Sequence, residues 1–273
     1  MDANTLYVSD LDGTLLNSSQ TTSDYTNTVI NSLVEKGVLF SFATARSHST
    51  VGKVAGGISV SIPISVYNGT FIADNLTGER LVSNFFENDI KNLISDLLSC
   101  GIYPVVYSII NGEEKFSYIK NKCSDGQKSF IESRKGDKRD NPVCSETDLF
   151  CGKIFYVSCI GEKKHLFPFY NKHKEKYDCF FQKDICCGPY WLEFMPKNSS
   201  KADGVLRLKR FLNCDRIVAF GDGLNDIDMF KIADECYAVS NAEDELKALA
   251  TGVIESNDDD GVAKWLSENV VIK

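Results

Sequence analysis

Asp10 and Asp12 flank a single leucine in Asp10-Leu11-Asp12-Gly13-Thr14, directly after the apolar run Leu6-Tyr7-Val8-Ser9. Two carboxylates this close raise each other's pKa unless a cation or hydrogen-bond donors compensate. A second acidic pair, Asp222 and Asp226, follows the apolar run ending at Phe220, in Gly221-Asp222-Gly223-Leu224-Asn225-Asp226. Brought together, Asp10, Asp12 and Asp222 would form an oxygen-rich pocket suited to Mg²⁺. A metal there would neutralise an incoming phosphate and let a carboxylate attack it through an aspartyl-phosphate. An isolated D-x-D-G also reads as a turn, with Asp and Gly serving loop conformation. Here it is joined by the Thr44 hydroxyl and by Lys201 at a helix start. Phosphoryl transfer is mostly positioning plus charge stabilisation, and it calls for such a set.

Those residues need elements that converge. Leu6 to Ser9 reads as a strand, and Tyr25, Val29, Leu33 and Val34 recur at helical spacing before the terminator Gly37. Val38 to Ala43 is a second strand, ending at Thr44-Ala45-Arg46, and Ile64 to Tyr67 a third, ending at Asn68-Gly69. Alternating strands and helices predict an α/β fold, a doubly wound Rossmann-like parallel sheet with helices on both faces. Ligands bind beyond the carboxyl ends of such strands, where Asp10, Thr44 and Asn68 fall. From about Ser83 to Trp191 the character shifts. A helix carrying Ile90, Leu93, Ile94, Leu97 and Leu98 precedes a β-hairpin with an Asn111-Gly112 turn. Ser133 to Asp148 reads as a charged loop, followed by a strand, a helix interrupted near Pro168, and a strand over Asp178 to Gln182. The expected organisation is core over 1–82, an inserted α+β cap over 83–191, and core again over 192–273.

The motifs resemble a family. Asp10-Leu11-Asp12-Gly13-Thr14-Leu15-Leu16 looks like the first motif of the haloacid dehalogenase (HAD) superfamily of phosphohydrolases. Phe42-Ala43-Thr44-Ala45-Arg46 resembles its second, Lys201 its third, and Gly221 to Asp226 its fourth. Asn68-Gly69, Asn241-Ala242 and Asp259-Asp260-Gly261-Val262-Ala263 resemble further signatures of the Cof-type subgroup, which carries an α/β cap between the second and third motifs. The resemblance implies that Asp10 is the nucleophile and a Mg²⁺ ligand. Asp12 would be the general acid/base, with its backbone carbonyl on the metal. Thr44 and Lys201 would hold the phosphoryl oxygens, and Asp222 would complete the metal site. Asp226 would reach the metal through water or orient Lys201. Substrate contacts are implied for Thr44, Arg46, Asn68, Gly69, Lys201 and Asn225, although Arg46 also reads as a plain surface salt bridge. The pattern departs from the family at Ala45, Ala202 and Ser240, where glycines are frequent; no departure removes a catalytic group.

The resulting expectation is a Mg²⁺-dependent phosphatase of small phosphate monoesters, sugar phosphates first, with the cap supplying selectivity. A phosphomutase or phosphotransferase, or a catalytically silent phospho-ligand binder, is the alternative. The formal charge of −8 argues against a nucleic-acid partner. No apolar run reaches the ~18–20 residues of a membrane helix, and Met1-Asp2-Ala3-Asn4 lacks the basic start and long apolar stretch of a signal peptide, so secretion is not expected. A cytoplasmic monomer or weak homo-oligomer is expected. Ten cysteines without a C-x-x-C pair predict reduced thiols, most of them small core residues. The vicinal Cys186-Cys187 pair reads as structural. His48, His165 and His173 are expected to face solvent, and Tyr190, Trp191 and Phe194 to pack where the cap rejoins the core, with Glu193 as a polar hinge residue.

Overall fold

The computed structural model describes residues 4–183 and 188–271. The chain divides into two units, one running to Ser83 and resuming at Ser199, the other Asn84–Asn198.

The first unit opens with β1 (Thr5–Ser9), α1 (Asp24–Glu35), β2 (Leu39–Phe42) and the short α2 (His48–Val54). Ser23 caps α1 by accepting the Thr26 N–H, and Gly37, at φ +89°, turns the chain out of it. The buried stripe of α1 is Thr26, Ile30 and Leu33, one position round from the expected face, so Tyr25 is exposed. Next come β3 (Ile64–Val66), β4 (Phe71–Ala73) and β5 (Arg80–Ser83), a separate three-stranded antiparallel sheet. This corrects the reading of Ile64 to Tyr67 as another parallel strand. Tyr67, Asn68 and Gly69 all have positive φ (51°, 51° and 88°) and send the chain straight back. The parallel pairing of β3 is limited to the single bridge Ser65–Ala43, just beyond the end of β2.

The second unit contains α3 (Ile90–Ser99), the hairpin β6 (Val105–Ile110) and β7 (Glu113–Ile119), α4 (Asp125–Glu132), β8 (Asp140–Val143), β9 (Lys153–Gly161), α5 (Lys163–His173), β10 (Asp178–Lys183) and β11 (Tyr190–Met195). Asn111 and Gly112 both take positive φ at the hairpin turn, as that pair predicts. Its sheet runs β10-β11-β9-β6-β7-β8, antiparallel except for β7 with β8. The expected charged loop thus contains a strand, β8. It is held beside β7 by the nearly buried Arg139, whose guanidinium reaches Glu114 at 2.9 Å and Asp137 at 2.7 Å. α5 runs through Pro168 instead of breaking there.

Three further expectations change. β11 pairs with β9 and β10, so Trp191, Leu192 and Phe194 belong to the second unit and the crossing back falls at Asn198–Ser199. Glu193 is a mid-strand residue opposite Phe180 and Ser158, not a hinge. His173 is buried, stacked with Phe169 and Tyr177 and met edge-on by Phe194. His48 is half-buried with Nε2 on the Asn75 carbonyl, while His165 is exposed.

The first unit resumes with α6 (Lys201–Leu212), β12 (Arg216–Gly221), α7 (Ile227–Ile232), β13 (Glu235–Val239), α8 (Asp244–Lys247), β14 (Gly252–Ile254) and α9 (Gly261–Asn269). Its all-parallel sheet has the order β14-β13-β12-β1-β2. The chain leaves β1 towards β2 and leaves β12 towards β13, so the strand order reverses between β1 and β12. Beyond their carboxyl ends such a switch opens a crevice. Ser200 starts α6 with a reciprocal capping box, its hydroxyl accepting Asp203 N–H while Asp203 accepts Ser200 N–H. Asn213 ends it in the left-handed conformation.

Of the eight described cysteines, all free, only Cys159, Cys214 and Cys236 are buried, fewer than the core reading implied. The Cys186-Cys187 pair lies outside the described residues. Among the described residues no helix is long and apolar enough to cross a membrane.

Candidate active site

β1 delivers Asp10 to the switch point, where its N–H continues the ladder to the Phe220 carbonyl at 3.0 Å. The Asp10 carboxylate is buried and meets the Lys201 ammonium at 2.8 Å. Lys201 is presented by the first turn of α6 and is itself 1% exposed, an unusual place for a lysine unless it is paired. Its second partner is Asp226 Oδ1, at 2.7 Å. The other Asp226 oxygen accepts the backbone N–H groups of Asp222 and Gly223, at 3.1 and 3.0 Å. Both Asp226 oxygens are therefore occupied, which fits the orienting role. Asp222 is fixed by the Thr14 hydroxyl at 2.7 Å.

The carboxylates of Asp10, Asp222 and Asp226 each offer an oxygen within 4.8 Å of the others. Burial holds the Asp10 carboxyl well above the usual range; Lys201 opposes this, while Asp226, Asp222 and Asp12 add to it. Burial and the Asp226 charge push Asp222 up to about 6. Burial alone would lower the Lys201 pKa, but Asp10 and Asp226 more than offset it, so Lys201 stays a cation. Three carboxylates against one ammonium leave two negative charges uncompensated. A divalent cation would balance that excess, and an all-oxygen donor set suits Mg²⁺ or another hard ion. Asp10 and Asp222 would hold it, since Asp226 is committed to Lys201 and two amides.

Gly13 sits at φ +76°, and a side chain there would run into the Asp222 carboxylate at 2.3 Å. Both its conformation and that close approach call for glycine. Thr44, fully buried, is set by two backbone bonds, its N–H to the Ser65 carbonyl and its carbonyl from the Asn68 N–H. Its hydroxyl accepts the Arg46 N–H at 3.1 Å. Asn68 and Asn225 face each other at 3.5 Å. Gly69, at φ +88°, packs against the Ser200 carbonyl, so the turn after β3 rests directly on the start of α6.

Asp12 lies off the buried triad, with a half-exposed side chain. Arg46 grips it with a fork, Nε to Oδ2 at 2.7 Å and Nη2 to Oδ1 at 2.6 Å. Neither sequence reading of Arg46 named this partner. The sequence also gave no role to Thr14 or to Asn241, whose side chain donates to the Gly13 carbonyl at 2.8 Å. Thr14 stood inside the first motif, and its hydroxyl was the available signal.

The sequence pattern of the haloacid dehalogenase-like hydrolases matches residues 7–266, and the chain belongs to that family. It is 30% identical over 285 residues to the 5-amino-6-(5-phospho-D-ribitylamino)uracil phosphatase YwtE of Bacillus subtilis (strain 168), covering 95% of this chain and 96% of that protein. A solved haloacid dehalogenase-like hydrolase from Bacteroides thetaiotaomicron shares the fold with a TM-score of 0.80 at 22% identity, over 97% of this chain and 99% of that one. The HAD subclass IIB sugar phosphatase BT4131 gives a TM-score of 0.76 at 18% identity, over 97% and 98% of the chains.

Proposed function

We propose that the chain is a Mg²⁺-dependent phosphatase of small phosphate monoesters carried on polyhydroxylated carbon chains, sugar phosphates and their polyol relatives. What carries the reading is the buried Asp10 carboxylate at the switch point, held at 2.8 Å by a lysine that Asp226 in turn fixes. An attacking carboxylate needs this kind of restraint. The substrate class is supported by a phosphatase named for a phosphoribityl compound and another named for sugar phosphates.

An Asp10 oxygen attacks phosphorus, and the bond from phosphorus to the ester oxygen breaks. Asp12 gives its proton to the departing alcohol. Asp12 then takes a proton from water as the water oxygen attacks the aspartyl-phosphate; the bond to Asp10 breaks, inorganic phosphate leaves, and both carboxyl groups return to their starting states. Thr44 and Lys201 bind the transferring oxygens, with Asn68, Gly69 and Asn225 beside them. Mg²⁺ bound by Asp10 and Asp222 would supply positive charge for the phosphoryl group.

The test is phosphate release across sugar, polyol, nucleotide and cofactor phosphates, with Mg²⁺, with EDTA, and with Asp10→Asn. Metal-dependent release that Asp10→Asn abolishes is expected, strongest on the sugar and polyol phosphates. Transfer to a second sugar in place of free phosphate would replace the phosphatase reading with a mutase.

A further inference from the structure

We propose that Arg46 is the positioning residue that aims Asp12 at the leaving group, and that the 17–20 turn, braced from the far end of the chain, holds Arg46 in place. The inference rests on the phosphatase reading and assigns a role within it.

The Asp12 side chain is half-exposed, and packing alone leaves such a carboxylate free to rotate. The Arg46 fork removes that freedom by fixing the plane of the carboxylate through two bonds. Arg46 is itself held at three points. Its N–H donates to the Thr44 hydroxyl, its carbonyl accepts the Tyr67 N–H at 3.0 Å, and Nη2 reaches Gln20 Oε1 at 3.3 Å. Gln20 is exposed, yet its backbone is fixed at φ +58° in a closed turn. Within that turn Asn17 Oδ1 accepts the N–H groups of Ser19 and Thr21, and the Asn17 carbonyl accepts the Gln20 N–H at 2.8 Å.

The turn is tied to a segment some 240 residues later. Asp258 accepts both the N–H and the hydroxyl of Ser18, at 2.7 and 2.6 Å. Asn257 donates to the Leu16 carbonyl at 2.9 Å, and its own N–H is held by Asn241. Asp260 accepts the hydroxyls of Ser23 and Thr26 at 2.5 and 2.7 Å, anchoring the exit from the turn into α1. Asp258 and Asp260 are therefore spent on one segment, residues 18–26. Gln20, within that segment, is the partner beside Asp12 that the described structure gives the Arg46 guanidinium.

A substrate-gripping arginine and one that aims an acid differ in their signatures. If Arg46 aims Asp12, Arg46→Ala lowers kcat with little change in KM. The loss depends on how much the leaving group needs a proton: about 100-fold or more on an alkyl phosphate, about tenfold or less on p-nitrophenyl phosphate. Arg46→Lys recovers only part of the loss, because an ammonium cannot make the fork. Gln20→Ala, on an exposed turn, gives the same pattern at smaller amplitude and guards against misfolding of the Arg46 variant. Equal losses on both esters, or a rise in KM at unchanged kcat, would overturn the proposal. If the wild type releases no phosphate, the phosphatase reading falls by itself. The positioning is then read from a crystal structure of Arg46→Ala, where Asp12 is expected to lose its single orientation; an unchanged rotamer would overturn it.

Discussion

The Lys201 ammonium lies 2.7 Å from Asp226 Oδ1, and both side chains are closed to solvent. A buried pair of this kind need not add net stability, but removing one partner leaves an uncompensated charge. Lys201→Met should therefore cost about 3–5 kcal/mol at neutral pH and abolish turnover. The cost should shrink at acid pH, where the Asp10 carboxyl, raised by burial, takes up a proton. Denaturant unfolding at pH 5 and pH 8 checks this; an equal loss at both would show that lost packing, not charge, is responsible.

The same charge excess predicts how metal and pH interact. The folded carboxyl of Asp222 is raised to about 6, above its ordinary value of 3.8, and Asp10 moves the same way. The folded state then holds more protons than the unfolded chain between those values, so in EDTA stability falls as pH rises from about 4 to about 6. A divalent cation that favours the ionised carboxylates should restore it above pH 6. At a hundred times its dissociation constant it contributes about 2.7 kcal/mol. Melting curves with Mg²⁺ and with EDTA at pH 5 and pH 8 should diverge only at the higher pH. Coincident curves at pH 8 would count against a cation on this triad.

The candidate site was legible because its members follow an apolar strand or start a helix, and chain order sends those ends to one edge of a parallel sheet. Partner choice was not legible. β3 has a strand's composition, but three successive left-handed residues at Tyr67, Asn68 and Gly69 decide that it pairs with β4. β11 looked like the return to the core because its pairing with β9 joins residues far apart in the chain. Local patterns carry no record of such pairs. His173, expected to face solvent, is buried. Its spacing from Leu166 and Phe169, seven and four residues back, places it on their helix face. Arg46 was the hardest case, since nothing in Thr44-Ala45-Arg46 says that the guanidinium turns back to Asp12.

In the second unit, burial pushes the Glu193 carboxyl up to about 7, despite a hydrogen bond from Tyr156 and the Arg134 charge. The folded value exceeds the ordinary 4.5, so the stability contribution of this group is full below about pH 4.5 and is lost as pH rises to about 7. Glu193→Gln should leave stability near the wild type at pH 5 and raise it at pH 8. The gain should be roughly 1–2 kcal/mol, a discounted figure because Glu193 keeps some solvent contact. A Glu193→Gln protein that gains nothing at pH 8 would show that the carboxylate is paid for by polar partners in that sheet.

Two glycines separate backbone strain from close approach. Gly69 (φ +88°) and Gly101 (φ +74°) both take a conformation that L-residues adopt at a cost of about 1–2 kcal/mol. Beyond Gly101 a new Cβ would meet nothing within 4 Å, so Gly101→Ala should cost about that much and leave activity intact. At Gly69 the Cβ would lie 2.0 Å from the Ser200 carbonyl, which accepts the Gly204 N–H in the first turn of α6. Backbone cannot move aside as a flexible side chain does, so the helix start must shift, adding about 1–3 kcal/mol. That start carries Lys201, and a displacement of about 1 Å in a positioning group can cost about 100-fold in rate. Gly69→Ala should therefore lose both stability and kcat, and a thermal shift assay beside phosphate release at saturating substrate would separate the two. If Gly69→Ala keeps wild-type kcat while losing stability, the turn after β3 supports the fold without setting the position of Lys201.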